Sequence, residues 1–153
     1  MGNFFKDNAD LSFYFDSGID WEKLVEVTER GFLSKDGPKS TAEAVELYRD
    51  VADLVGQFVA DEIAPHVAQL DREKVSFADG EAIHPPRLEQ IYAQLRAMEL
   101  HAMCLPRELG GMNSPLMLYF LTSEIIGRAD VSVMAHHGFH GGMAAAMLFF
   151  SIR

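Results

Sequence analysis

The chain has 153 residues, 48% of them apolar and 24% charged, and a formal net charge of −10. That length supports one domain, able to bury about 68–70% of its unfolded surface. The acidic balance excludes a nucleic-acid or anionic-membrane surface, since both need a basic patch, and the single cysteine, Cys104, excludes an intrachain disulfide framework and suits a reducing compartment.

Residues 1–19 carry Phe4, Phe5, Phe13, Tyr14 and Phe15 among Asp and Asn, with no helical period. Disordered segments are poor in aromatics, so this reads as an arm packing on another surface. The start lacks a charged leader followed by an apolar run, and Lys6 stands where a myristoylation signal would want Ser or Thr. Asp20 is the N-cap of a short helix carrying Trp21, Leu24, Val25 and Thr28, which Gly31 ends.

Gly37-Pro38 breaks the chain, and Ser40-Thr41-Ala42-Glu43 is a capping box. Ala44, Leu47, Val51, Leu54, Val55, Phe58 and Ile63 then form one apolar stripe at period 3.6, predicting a helix over 41–64 that Pro65 ends or kinks. The pattern continues weakly to Lys74. Residues 75–85 read as a loop turning at Asp79-Gly80, and no strand is predicted anywhere. Pro86 opens a helix whose buried face is Leu88, Ile91, Tyr92, Leu95 and Met98.

Leu105-Pro106-Arg107-Glu108-Leu109-Gly110-Gly111 reads as a tight connector. Pro106 disfavours helical geometry at Leu105, the glycines permit positive φ or close backbone approach, and Arg107 and Glu108 read as a solvated turn. Ser114-Pro115 then caps a helix whose Leu116–Leu121 stretch is apolar all round, which predicts burial on every side. Gly127 and Asp130 mark a break and a new cap. The last helix spans 131–150 and is crowded with Gly and Ala, each Gly costing up to about 1 kcal/mol relative to Ala, which close helix approach or space for a ligand would offset. No segment reaches the ~20 apolar residues of a membrane span, which fits a soluble cytoplasmic protein.

Three stretches, in this order, are similar to the N-terminal helical domain of acyl-CoA dehydrogenases: Phe58-Val59-x-x-Glu62-Ile63-Ala64-Pro65, Leu105-Pro106-x-Glu108-x-Gly110-Gly111, and Glu124 through Ser132. Residues 1–37 resemble, more loosely, the N-terminal extension of the longer members. The resemblance implies an all-α helical bundle over 38–153 preceded by an aromatic-rich arm over 1–37. It also implies acyl-CoA as substrate, FAD as cofactor and a homo-oligomer. In that family a middle β-domain and a C-terminal helical bundle hold the flavin, and a glutamate of the bundle takes the α-proton. No position here matches those motifs, so the resemblance assigns no catalytic or cofactor-binding residue to this chain. It does imply that the last helix lines the floor of the acyl-chain cavity. Aligned through Gly127 and Val131, the lining positions fall on Ser132, His136 and His140, which share one face at i, i+4 and i+8. Imidazoles there would suit a short or polar acyl group.

His136 and His140 also have the i, i+4 spacing of metal-binding helices, but no Asp or Glu shares their face to complete a ligand set. Cys104 has no base placed beside it and reads as an inert thiol. The family's helix runs on into a polar turn, whereas this sequence stops at Phe149-Phe150-Ser151-Ile152-Arg153, and the expectation is therefore a fragment, inactive by itself. The alternative is a non-catalytic helical module that self-associates or binds a partner through residues 114–150.

Overall fold

A computed structural model describes residues 2–150; Met1 and the end at Ser151, Ile152 and Arg153 lie outside the described residues. Seven α-helices and one small hairpin are described: α1 (Ala9–Phe13), α2 (Trp21–Glu29), α3 (Thr41–Phe58), α4 (Val67–Arg72), β1 (Ser76–Ala78), β2 (Glu81–Ile83), α5 (Pro86–Ala97), α6 (Leu116–Gly127) and α7 (Val131–Phe150). The fold is all-α, as the sequence predicts. α3 and α6 pack against each other at its centre, and α7 lies along α6.

The helix starts follow from local chemistry. Asp20 accepts from the Lys23 N–H and starts α2. Ser40 Oγ accepts from the Glu43 N–H at 3.2 Å, while the Glu43 carboxylate reaches back to the Lys39 N–H at 2.8 Å, so the box spans one residue more than its usual form. α3 runs on through a π-turn (Val59–Ile63) and a 3₁₀ turn (Ala64–His66) into α4, with Pro65 at the change of geometry. Its buried face differs from the predicted stripe. Leu47 and Leu54 are 38% and 51% exposed, whereas Tyr48, Ala52 and Val59 are buried. The face is rotated because the N-terminal arm covers a flank that periodicity within α3 cannot reveal.

That arm is partly helical, in α1 and the π-turn Tyr14–Gly18, although its sequence shows no period. Asn8 starts it by accepting from the Asp10 and Leu11 N–H groups. Its aromatics then enter the core in series: Phe5 meets Phe15 at 5.6 Å, Phe15 meets Trp21 at 4.8 Å, and Trp21 meets Tyr48 of α3 at 5.6 Å between ring centroids. The Trp21 indole N–H donates to the Phe15 carbonyl at 2.8 Å, which satisfies the polar edge of a buried ring.

Three further expectations are corrected. Residues 76–83 form an antiparallel hairpin, not a loop. Asp79 and Gly80, with φ of 53° and 85°, supply the two left-handed positions that a two-residue hairpin turn requires. The α6 helix is not buried on every side: Leu118, Leu121, Ile125 and Ile126 are buried, but Leu116 and Phe120 are exposed. Ser114 does not cap α6, whose flanking residue is Pro115; instead the Ser114 N–H donates to the Met103 carbonyl.

The connector is tighter than a solvated turn. Gly110 has φ +81° with nothing near its missing Cβ. At Gly111 a Cβ would collide with the Leu105 carbonyl and lie 2.6 Å from the Ala102 oxygen. The two glycines thus serve separate needs, conformation and clearance. Arg107 is not solvated. Its guanidinium donates to both carboxylate oxygens of buried Glu29 at 2.7 and 2.9 Å, tying the connector to α2.

Candidate functional site

α7 begins where Asp130 accepts from the N–H groups of Ser132 and Val133 at 2.8 and 3.0 Å. This fixes the phase of the helix and therefore the direction of each histidine. His136 stacks on Tyr92 of α5, with centroids 3.9 Å apart and planes at 17°, and sits 4.7 Å from His140. His84, just after β2, stands edge-on to both Tyr92 and His136, at 5.6 and 6.1 Å. The His137 ring also lies 6.3 Å from that of Tyr119 on α6. Together His84, His101, His136, His137 and His140 line one cavity of about 370 Å³ between α5 and α7. Five of the six histidines in the sequence converge there.

Electrostatics follow from burial. The cavity pushes His137 down to about 4, first by desolvation and then by the neighbouring His140, His101 and His136. Burial also lowers His136, assisted by His140 and His84, and raises the Tyr92 phenol. Both shifted imidazoles are therefore neutral at pH 7. The His140 Nδ1 lies 2.9 Å from the His136 carbonyl oxygen. A carbonyl only accepts, so Nδ1 carries a proton and donates it to that bond.

Of the predicted wall residues, His136 and His140 line this cavity and Ser132 does not; the Ser132 hydroxyl donates to Asp130 at 2.5 Å. His84 and His101 were not singled out from sequence. They sit outside the regular helices, where no period fixes their direction, and the only signal was that five histidines fall between positions 84 and 140. Among the described residues, no three His, Cys, Asp or Glu side chains stand close enough to hold a metal ion.

The small residues of α7 admit a neighbour. A Cβ at Gly141 would lie 2.9 Å from the Tyr119 ring and one at Gly138 would lie 3.2 Å from its hydroxyl. That hydroxyl donates to the Gly138 carbonyl at 2.7 Å. Close approach to α6 thus offsets part of the glycine cost. Cys104 lies in the same region, half-buried, with its thiol pushed up to about 11 by burial, so it is a poor nucleophile.

A larger cavity of about 610 Å³ is lined by Asp36, Glu43, Glu46 and Asp50 around Arg107. Its single cation is committed to Glu29, so it offers no free polar chemistry beyond exposed carboxylates. The N-terminus of α7, where a cofactor phosphate could accept backbone N–H bonds, is occupied by the Asp130 carboxylate. That end of the helix does not fit the pyrophosphate of a flavin.

A family model described as "Acyl-CoA dehydrogenase, N-terminal domain" matches residues 46–151, most of the chain. The chain belongs to this family. Among curated proteins it is similar to "Isovaleryl-CoA dehydrogenase, mitochondrial" of Oryza sativa subsp. japonica, 29% identical over 96 residues, covering 63% of this chain and 21% of the relative. The protein of the same name from Arabidopsis thaliana is 28% identical over 96 residues, with the same coverage. The chain thus spans about a fifth of the length of these relatives. No described helix is long and apolar enough to cross a membrane.

Proposed function

We propose that this chain serves as the N-terminal helical part of a flavin-dependent acyl-CoA dehydrogenase and contributes one wall of its acyl pocket. The family match over residues 46–151 carries the proposal. In this reading residues 1–37 are an extension and 38–153 the body of the helical domain. The wall is α7, with His136 and His140 toward the acyl group and Ser132 one turn before them on the same helix face. FAD, held by parts of the enzyme outside this chain, would accept the hydride, while α7 shapes and orients the substrate and excludes water. The His136 and His137 imidazoles, held neutral at pH 7 by burial, favour short or polar acyl groups over long alkanes. Isovaleryl-CoA, the thioester in the relatives' names, is the first substrate to try. Assembly as a homo-oligomer in the cytoplasm completes the proposal, although the relatives' names carry the word mitochondrial; imaging of a tagged protein decides the compartment.

The test is spectroscopic. The product of the complete coding region should be yellow and bleach anaerobically with short acyl-CoA, while the 153-residue chain mixed with FAD and acyl-CoA should show no spectral change. A colourless full product would overturn the reading, and a preference for chains of about twelve carbons or more would overturn the polar wall, because such a preference needs the gain of about 0.8 kcal/mol per CH₂ that only an apolar surface supplies.

A second reading has its own observation. Leu116 and Phe120 of α6 and Phe139, Met143 and Met147 of α7 are exposed apolar side chains. They fit a non-catalytic helical module that self-associates through residues 114–150.

A further inference from the structure

Two buried ring nitrogens on residues that line the α5–α7 cavity, His137 Nε2 and His84 Nδ1, have no partner among the described residues. His137 is only 3% exposed. Leaving a buried polar atom unpaired costs about 1–3 kcal/mol, so a ligand oxygen at that place removes a standing penalty. Arg96 also lines the cavity and makes no ion pair among the described residues. Tyr92 and Leu95 supply an apolar flank, and Glu89 is the one carboxylate of the lining.

We propose that this cavity binds a short-chain carboxylate, held by the ring N–H groups of His84 and His137 and by the Arg96 guanidinium, with its hydrocarbon against Tyr92 and Leu95. Arg96 and Glu89 cancel in formal charge, so a monoanion paired with Arg96 meets less repulsion from Glu89 than a dianion such as phosphate would. The inference rests on the acyl-wall reading only for the ligand's source, since the terminal carboxylate of an acyl thioester and a free carboxylate present the same group.

Burial holds His136 below its ordinary range and His137 down to about 4, so both imidazoles are neutral at pH 7 and each carries one ring N–H.

The experiment is a histidine ring ¹⁵N NMR titration of the 153-residue chain with sodium butyrate, using sodium chloride at equal ionic strength as control. Saturable shifts at His137 and His84 are expected near pH 7. Arg96→Gln, at an exposed position, should weaken binding about tenfold with an unchanged circular dichroism spectrum; His137→Gln should abolish the response at His84. A second arm compares succinyl-CoA with butyryl-CoA. Shifts from succinyl-CoA at lower concentration than butyrate would support the acyl-borne source; shifts from butyrate alone would support the free one. No saturable shift from either carboxylate up to about 50 mM, or the same shift with chloride, would overturn the inference. Failure here would leave the dehydrogenase reading standing, because that reading is tested by bleaching of the full flavoprotein with an uncharged acyl thioester, which carries no carboxylate.

Discussion

The Arg107 guanidinium and the Glu29 carboxylate form a two-pronged pair, at 2.7 and 2.9 Å, between residues 78 positions apart. The Glu29 side chain is 1% exposed and that of Arg107 17%. The pair joins α2 to the Leu105–Gly111 connector, and Asn113 adds a second tie by donating to the Thr28 carbonyl at 2.9 Å. The N-terminal arm is thereby locked to the segment that leads into α6.

Removing one partner of this pair should cost far more than removing both. Arg107→Ala leaves a buried carboxylate uncompensated and is expected to destabilise the fold by about 3–5 kcal/mol, while Arg107→Met with Glu29→Leu should recover most of that loss. Arg107→Lys should fall between, since an ammonium cannot make the forked contact. Urea midpoints of the four proteins provide the check; equal losses in the single and double variants would show that the pair carries little.

The two connector glycines should respond differently to the same change. Gly110→Ala meets open space and only the positive φ opposes it, a cost of about 1–2 kcal/mol. Gly111→Ala drives a methyl into the Leu105 carbonyl and must move backbone, so its melting temperature should drop further. Equal drops would place the connector's constraint in conformation alone.

Stability should fall on the acid side of neutrality through His137. Its folded pKa of about 4 lies below the ordinary value of about 6.5. Over that interval the unfolded chain binds the extra proton, so stability is complete above about 6.5 and is lost progressively down to about 4, by on the order of 2–3 kcal/mol. His137→Gln should flatten this part of the pH profile. An unchanged slope would locate the acid sensitivity elsewhere.

Cys104 should resist alkylation in the folded chain. Burial raises its thiol to about 11, so at pH 8 the thiolate fraction is on the order of 0.1%, against roughly a quarter for a free thiol of pKa about 8.5. Iodoacetamide labelling followed by mass spectrometry should be slow in buffer and fast in urea. Rapid labelling of folded chain would contradict the buried thiol.

Self-association should follow from the open faces of α6 and α7. Phe120 and Phe139 are 62% and 71% exposed. The isolated chain is expected to dimerise or bind hydrophobic dye, and Phe120→Glu with Phe139→Glu should shift sedimentation toward monomer. A monodisperse wild-type monomer without dye binding would show that these faces are not sticky.

Local chemistry made much of the fold legible in the sequence. The caps at Asp20 and Ser40, the opening proline Pro86 and the apolar period of residues 41–64 act within a turn or two of chain. Both roles of the connector glycines were readable for the same reason. The family resemblance in three motifs was readable too, and it placed two of the five cavity histidines on one face of α7. The tertiary structure decided what depends on distant partners. It rotated the buried face of α3 by laying Phe5, Phe15 and Trp21 against Tyr48, and it turned Arg107 from a solvated residue into the partner of a carboxylate 78 residues away. It also brought His84 and His101 from opposite ends of α5 to meet α7. Periodicity gives the face of a helix, but the neighbour that covers that face is set by the packing of the whole chain, and burial then decides which of those groups carries charge.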